Sequence, residues 1–249
     1  MTLLAAKILL PPLCVVAVSL AGRRWGIAVA GVLGGLPVVA GWILLIETIL
    51  HGKDFGADAA AGTLLGLAAL AAFVVTYAQV AGKFGPLGSV LCGWAAFAVA
   101  VAILSLIEPS PTMALALVTL CFAVGLWVSS VTWPPEPMEA PPWWDLPGRA
   151  LAAVVLVVTL TALSGALGPH LSGLLAPFPV ITSILAVFTH AHDGAAQVKA
   201  LLRNFLLGFY GFAAFCFVLA VTLPEVTVAA AFGISTAAAV AVQVAVLLR

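Results

Sequence analysis

Gly173-Leu-Leu-Ala-Pro-Phe-Pro-Val-Ile-Thr-Ser-Ile-Leu-Ala-Val-Phe-Thr-His-Ala-His-Asp-Gly194 is the stretch on which the reading of this chain turns. It is apolar and long enough to cross a bilayer, yet Pro177 and Pro179 interrupt it. An interior proline removes a backbone hydrogen bond and clashes with the preceding turn, so a helix here must kink or break. Hydrocarbon tolerates irregular backbone only where protein or a water-lined cavity satisfies its polar groups. A break at mid-membrane is therefore either a packing device or a site.

The stretch has an echo. Shifting the numbering by 142 lays residues 7–80 over 149–222 without a gap, with 16 identities in 74 positions. That count is weak for two apolar sequences, but the matched types are informative. Gly26/Gly168, Gly31/Gly173, Pro37/Pro179, Gly52/Gly194 and Gly66/Gly208 coincide, and glycine and proline have special backbone roles. Ala71-Ala72-Phe73 also falls on Ala213-Ala214-Phe215. The pattern reads as an internal duplication.

Composition supplies the solvent. The chain is 64% hydrophobic and 7% charged, with a mean hydropathy of +1.27, more apolar surface than a soluble domain could hide. This describes a polytopic membrane protein whose first partner is the lipid bilayer. A net charge of zero without any basic run excludes a nucleic-acid footprint. Cys14, Cys92, Cys121 and Cys216 lie inside apolar stretches without metal-type spacing, so they read as small buried hydrophobes. No cofactor fingerprint is present, and Gly31-Val-Leu-Gly-Gly reads as a helix-packing pattern, not a phosphate loop. Lys7 before a short apolar run has the outline of a signal peptide. Its counterpart at 149–167 is internal, so it reads as a retained first helix.

At about 20 apolar residues per span, the expected fold is an all-α integral membrane protein of nine transmembrane helices. They cover about 3–21, 26–50, 57–80, 86–107, 111–132, 148–167, 170–191, 199–222 and 225–248. Residues 1–107 form one four-helix repeat and 148–249 the other. Residues 108–147 supply a linking helix and a Pro-rich connector, Trp133 to Pro147, whose prolines favour an extended chain. Trp133, Trp143 and Trp144 suit the headgroup region. With nine spans, Arg23, Arg24, Lys83, Arg149, Lys199, Arg203 and Arg249 share one side, against Lys7 and Lys53. The bias makes the first side cytoplasmic, with the N-terminus outside and the C-terminus inside. The odd linking helix turns the second repeat upside down relative to the first, a plan common in secondary transporters.

Candidate chemistry gathers at the two interruptions. Gly34-Gly35-Leu-Pro37 breaks the second span and Pro177-Phe-Pro179 the seventh. If each proline opens a half-helix, two N-termini offer free N–H groups and about half a positive charge each toward the membrane centre. That arrangement suits a small solute, anions above all. Thr182 and Ser183 add hydroxyls on one side, and Arg203 with Asn204 adds a charge and an amide to the expected substrate site. Arg203 otherwise snorkels to headgroups. Glu47 and His51, four apart on one helix face, form a candidate proton or ion relay. His190 and Asp193, three apart, form a second, and their types admit a metal without a diagnostic spacing. No metal site, nucleophile elbow or acid–base set is expected, so the chain does not read as an enzyme.

Residues 160–222 carry a Gly-Leu-x-x-Pro-Phe-Pro turn within an apolar helix, a short polar loop with glycine, a basic helix start and an aromatic-rich span. Through Gly173, Leu174, Pro177, Phe178, Pro179, Gly194, Lys199 and Arg203 this resembles the GlpM family of small bacterial inner-membrane proteins. Those proteins are about half this length, so the resemblance implies a fused, diverged pair in a bacterial inner membrane. It supplies no catalytic residues. The expected function is a transporter or permease for a small solute bound between the two interrupted helices. The alternatives are a passive channel of fused dual-topology type and a non-transporting scaffold for envelope polymer or lipid assembly. A homo-oligomer is compatible with each.

Overall fold

The computed structural model describes residues 2–107, 109–129, 142–164 and 178–248, with side chains except at 2–8 and 160–164. Gly173, Leu174, Pro177 and most of the Pro-rich connector lie outside the described residues. The elements are α1 (Thr2–Trp25), α2 (Ile27–Gly34), α3 (Val38–His51), α4 (Lys53–Val80), α5 (Pro86–Leu104), α6 (Pro111–Val128), α7 (Asp145–Ser164), α8 (Val180–Thr222) and α9 (Val228–Leu247). The described residues contain no strand. Six helical spans among them are long and apolar enough to cross a membrane, with α2 and α3 together making one. The protein is an all-helical membrane protein.

Three turns among the described residues are made by single glycines. Gly26, Gly52 and Gly194 have φ of 92°, 95° and 84°, a region that L side chains rarely adopt. Gly52 shows why one residue suffices. Its N–H donates to Thr48 O at 3.0 Å, closing α3, while its carbonyl accepts from Gly56 N at 3.1 Å, opening α4. The loop expected at 51–56 therefore shrinks to one residue, and α4 starts at Lys53. Gly194 turns α8 likewise, dividing it into limbs 180–193 and 195–222.

Proline sets the other boundaries. Pro37 stands at the N-cap of α3 and Pro179 at that of α8, so each proline opens a helix from just outside its first turn. Pro86 and Pro111 start α5 and α6 as first-turn residues. Pro147 corrects the expected extended connector. It lies in the first turn of α7, where a missing N–H costs nothing, and the helix begins at Asp145.

Packing places α4 and the second limb of α8 at the centre. For α4, 67% of the apolar span is buried, against 22% for α6 and α9. α5 lies on α4, α9 on α8, and α6 covers both central helices. Phe73 and Tyr77 of α4 and Phe205 and Phe209 of α8 are fully buried. Leu, Ile and Val on the outer faces of α5, α6 and α9 are exposed, as lipid-facing positions are. α1 pairs with α7, and the two run antiparallel: Arg23 near the end of α1 bonds Asp145 at the start of α7. Gln79 Nε2 donates to Val128 O at 3.1 Å at this same end, the basic end, whereas Lys53 Nζ donates to Val226 O at the opposite one.

Candidate functional site

At the first interruption the chain leaves α2 at Gly35 and enters α3 after Pro37. Gly35 N donates to Gly31 O and Gly41 N to Pro37 O, so the helical ladder is cut between them. Neither α3 nor α8 has a side-chain cap, which leaves first-turn amides without an intrahelical partner. That much accords with half-helix N-termini.

The surroundings of the break are tightly filled. A Cβ added at Gly35 would lie 2.6 Å from the Gly208 backbone, and one at Gly31 would lie 2.5 Å from Asn204 Cβ. Gly31-Val-Leu-Gly-Gly is thus the helix-packing surface that its pattern indicates. Gln243 of α9 reaches across and donates from Nε2 to Val32 O, a carbonyl near the cut end of α2. Gln243 was not a sequence candidate. A lone polar residue late in an apolar helix was its only signal.

The second interruption packs elsewhere. The Phe178 ring lies 5.8 Å from Trp94 and 5.4 Å from Phe97, both on α5. Ser183 is buried and accepts a 2.9 Å hydrogen bond from Trp94 Nε1, and Thr182 is buried beside it. The described contacts of the two breaks lie on different helices. Pro37 follows a backbone seated on α8, and Pro179 follows a ring seated on α5. Asn204 Nδ2 bonds Ala200 O at 2.8 Å on its own helix, one turn from the Gly35 contact, and Arg203 is half-buried.

The two relays fare differently. Glu47 and His51 meet as their spacing requires, with Oε2 3.0 Å from Nδ1 and His51 half exposed at the end of α3. His190 and Asp193 diverge. His190 Nδ1 lies 3.3 Å from the buried Tyr77 hydroxyl, whereas Asp193 turns to a cavity beside α1 and α7. Their three-residue spacing allows contact, but His190 meets Tyr77 on α4 while Asp193 lines the cavity. Among the described residues no group of three His, Cys, Asp or Glu is arranged to hold a metal.

That cavity, of about 40 Å³, is at the basic end. Its polar wall consists of Ser19, Arg23, Arg149, Thr189, His192 and Asp193. Behind the wall Asp145, only 1% exposed in its side chain, takes Arg23 Nη2 at 2.8 Å and Arg149 Nε at 2.9 Å on the same oxygen, Oδ2. Two guanidiniums brought onto one oxygen repel each other, and the shared carboxylate offsets that repulsion. Arg149 also lies over the Phe188 ring, 5.3 Å from its centroid. In the sequence, Arg23 and Arg149 mark only the orientation of the chain, and Asp145 falls in the linker. Arg149 four residues after Asp145 was a usable local signal. Arg23, 122 residues away from Asp145, was not.

No family model, characterised protein or solved structure matches this chain.

Proposed function

We propose that the chain is a transporter or permease for a small solute, built from two four-helix halves that insert in opposite senses. The observation that supports this most is the agreement of helix bounds at the offset of 142. Val38–His51 maps onto 180–193, Lys53–Val80 onto 195–222, and the start of α5 at Pro86 onto that of α9 at Val228. Gly52 and Gly194, the turns between the first two pairs, share a positive φ. Sixteen identities could arise by composition; coincident breaks, turns and starts are much harder to reach that way.

The antiparallel α1–α7 pair supports inversion. Asp145 has its counterpart at residue 3, the far end of α1, yet it bonds Arg23 at the near end. In this reading there are nine spans, with the basic end cytoplasmic and the N-terminus outside. The molecule is a fused pair of the GlpM type in a bacterial inner membrane. The same offset carries Thr189 and Asp193, in the cavity wall, onto Glu47 and His51 at the opposite end. Each half then bears a polar cluster one helix past its interruption, one facing each side of the membrane. The uncapped breaks at Pro37 and Pro179 serve as the bending points between them.

Flux through liposomes containing the purified protein tests this. Pro37→Ala and Pro179→Ala restore a helix-forming residue at each break and should lower uptake at least several-fold while insertion is retained. Unchanged flux in both variants removes the proposal.

A further inference from the structure

We infer that the cavity at the basic end is a binding site for a singly charged oxyanion group, a carboxylate or the phosphodiester of a lipid headgroup. The inference deepens the transport reading by naming a solute class, and its test does not depend on flux.

Three observations carry it. The first is an unpartnered hydroxyl. Within the apolar helices, Thr48, Thr63, Thr159, Thr222 and Ser235 each donate to the carbonyl four residues back. That is the usual refuge of a hydroxyl in an apolar helix. Ser19 is 7% exposed, lines the cavity and has no hydrogen-bond partner among the described residues. A buried hydroxyl left unmatched is costly, and such a group calls for an occupant.

The second is the pair of guanidiniums in the wall. Arg23 and Arg149 each give one N–H to Asp145 Oδ2, and each guanidinium carries further donors in a rigid fork. Thr189 and His192 complete the wall with a hydroxyl and an imidazole, beside the acceptor oxygens of Asp193. The matching ligand presents several acceptor oxygens on one small group.

The third is charge and size together. Arg23 and Arg149 are balanced by Asp145 behind the wall and Asp193 within it, so these four side chains sum to about zero charge. A dianion would meet Asp193 at full cost, whereas a single negative charge is tolerated beside two guanidiniums. A volume of about 40 Å³ takes the group itself, about two or three waters' worth of space. The rest of the molecule must extend through the mouth, where Arg23 is 30% exposed.

The test is thermal unfolding of the full-length protein in nonionic detergent, titrated with sodium acetate against sodium chloride at matched ionic strength. Acetate should stabilise saturably beyond chloride. Ser19→Ala should weaken the apparent affinity about 10-fold, the scale of one hydrogen bond to a charged group. Asp193→Asn should strengthen it several-fold by removing the like charge. Repeating the titration in the same phosphate-free nonionic detergent with and without added phosphatidylglycerol separates the sources. Loss of the acetate response with phosphatidylglycerol identifies a headgroup as the occupant, and persistence identifies a soluble acid. Acetate indistinguishable from chloride in both wild type and Asp193→Asn overturns the inference, as does an unchanged affinity in Ser19→Ala. Flux can fail while binding survives, which would sink the transport reading and leave this one standing.

Discussion

Gly208 offers the most direct test of how the first interruption is held. An alanine there would place its Cβ 2.6 Å from Val32 O, 3.0 Å from Val32 Cα and 3.1 Å from Gly31 O. Comfortable contact begins near 3.4 Å, so the nearest pair is about 0.8 Å too close. All three neighbours are backbone atoms, so no side-chain rotation relieves the clash, and α2 must move off α8. That movement also pulls Val32 O away from Gln243. Overpacking of this kind costs about 1–3 kcal/mol, and rigid neighbours place Gly208 at the upper end. Replacing a mid-helix glycine by alanine returns up to about 1 kcal/mol. The net expectation for Gly208→Ala is a loss of about 2 kcal/mol, roughly 30-fold in the folded-to-unfolded ratio.

The control is Gly233 on α9, where an added Cβ meets nothing within 4 Å. Gly233→Ala should therefore be neutral or stabilising by up to about 1 kcal/mol. The assay is SDS-induced unfolding of the purified protein in mixed micelles, followed by tryptophan fluorescence. If Gly208→Ala is as stable as Gly233→Ala, α2 and α8 do not meet backbone to backbone, and the account of the break is wrong.

Asp145→Asn leaves two guanidiniums facing each other and should cost about 3–5 kcal/mol in the same unfolding assay. Arg23→Gln should cost about 1 kcal/mol or less, because Arg23 is partly exposed and Arg149 still holds Asp145; equal losses would refute the buried-pair description. Trp94→Phe and Ser183→Ala should each cost about 1 kcal/mol and show a similar coupling energy in a double-mutant cycle, whereas strict additivity would remove the bond between them. Arg24→Cys and Asp54→Cys, placed in a background without the native cysteines, should label with a membrane-impermeant maleimide from opposite faces of the membrane. Labelling of Asp54→Cys from outside supports the proposed orientation, and labelling of both from one face refutes it.

The punctuation of this chain was legible in its sequence because glycine and proline act locally. Pro37 and Pro179 cap helices because neither can donate a backbone hydrogen bond. Gly52 and Gly194 turn the chain because a positive φ costs them nothing. Glu47 and His51 meet because four residues on one helix bring side chains together whatever surrounds them. Gly31, Gly34 and Gly35 announced a close helix approach, though the partner at Gly208 could not be named from them.

The polar cluster was illegible for the opposite reason. Whether Arg23 faces headgroups or Asp145 depends on α1 lying against the start of α7, a contact between residues 122 apart. Whether His190 turns toward Asp193 or Tyr77 depends on where α4 stands. Sequence alone determined that this is an apolar, helical, membrane-embedded chain interrupted at set places, since length, hydropathy and backbone chemistry need no neighbours. Only the tertiary structure decided that the interruption at Gly35 is packed shut and that a charged cavity opens at one end. Close packing and charge pairing are properties of what a residue touches, and in a bundle of similar apolar helices the neighbours are chosen by the fold.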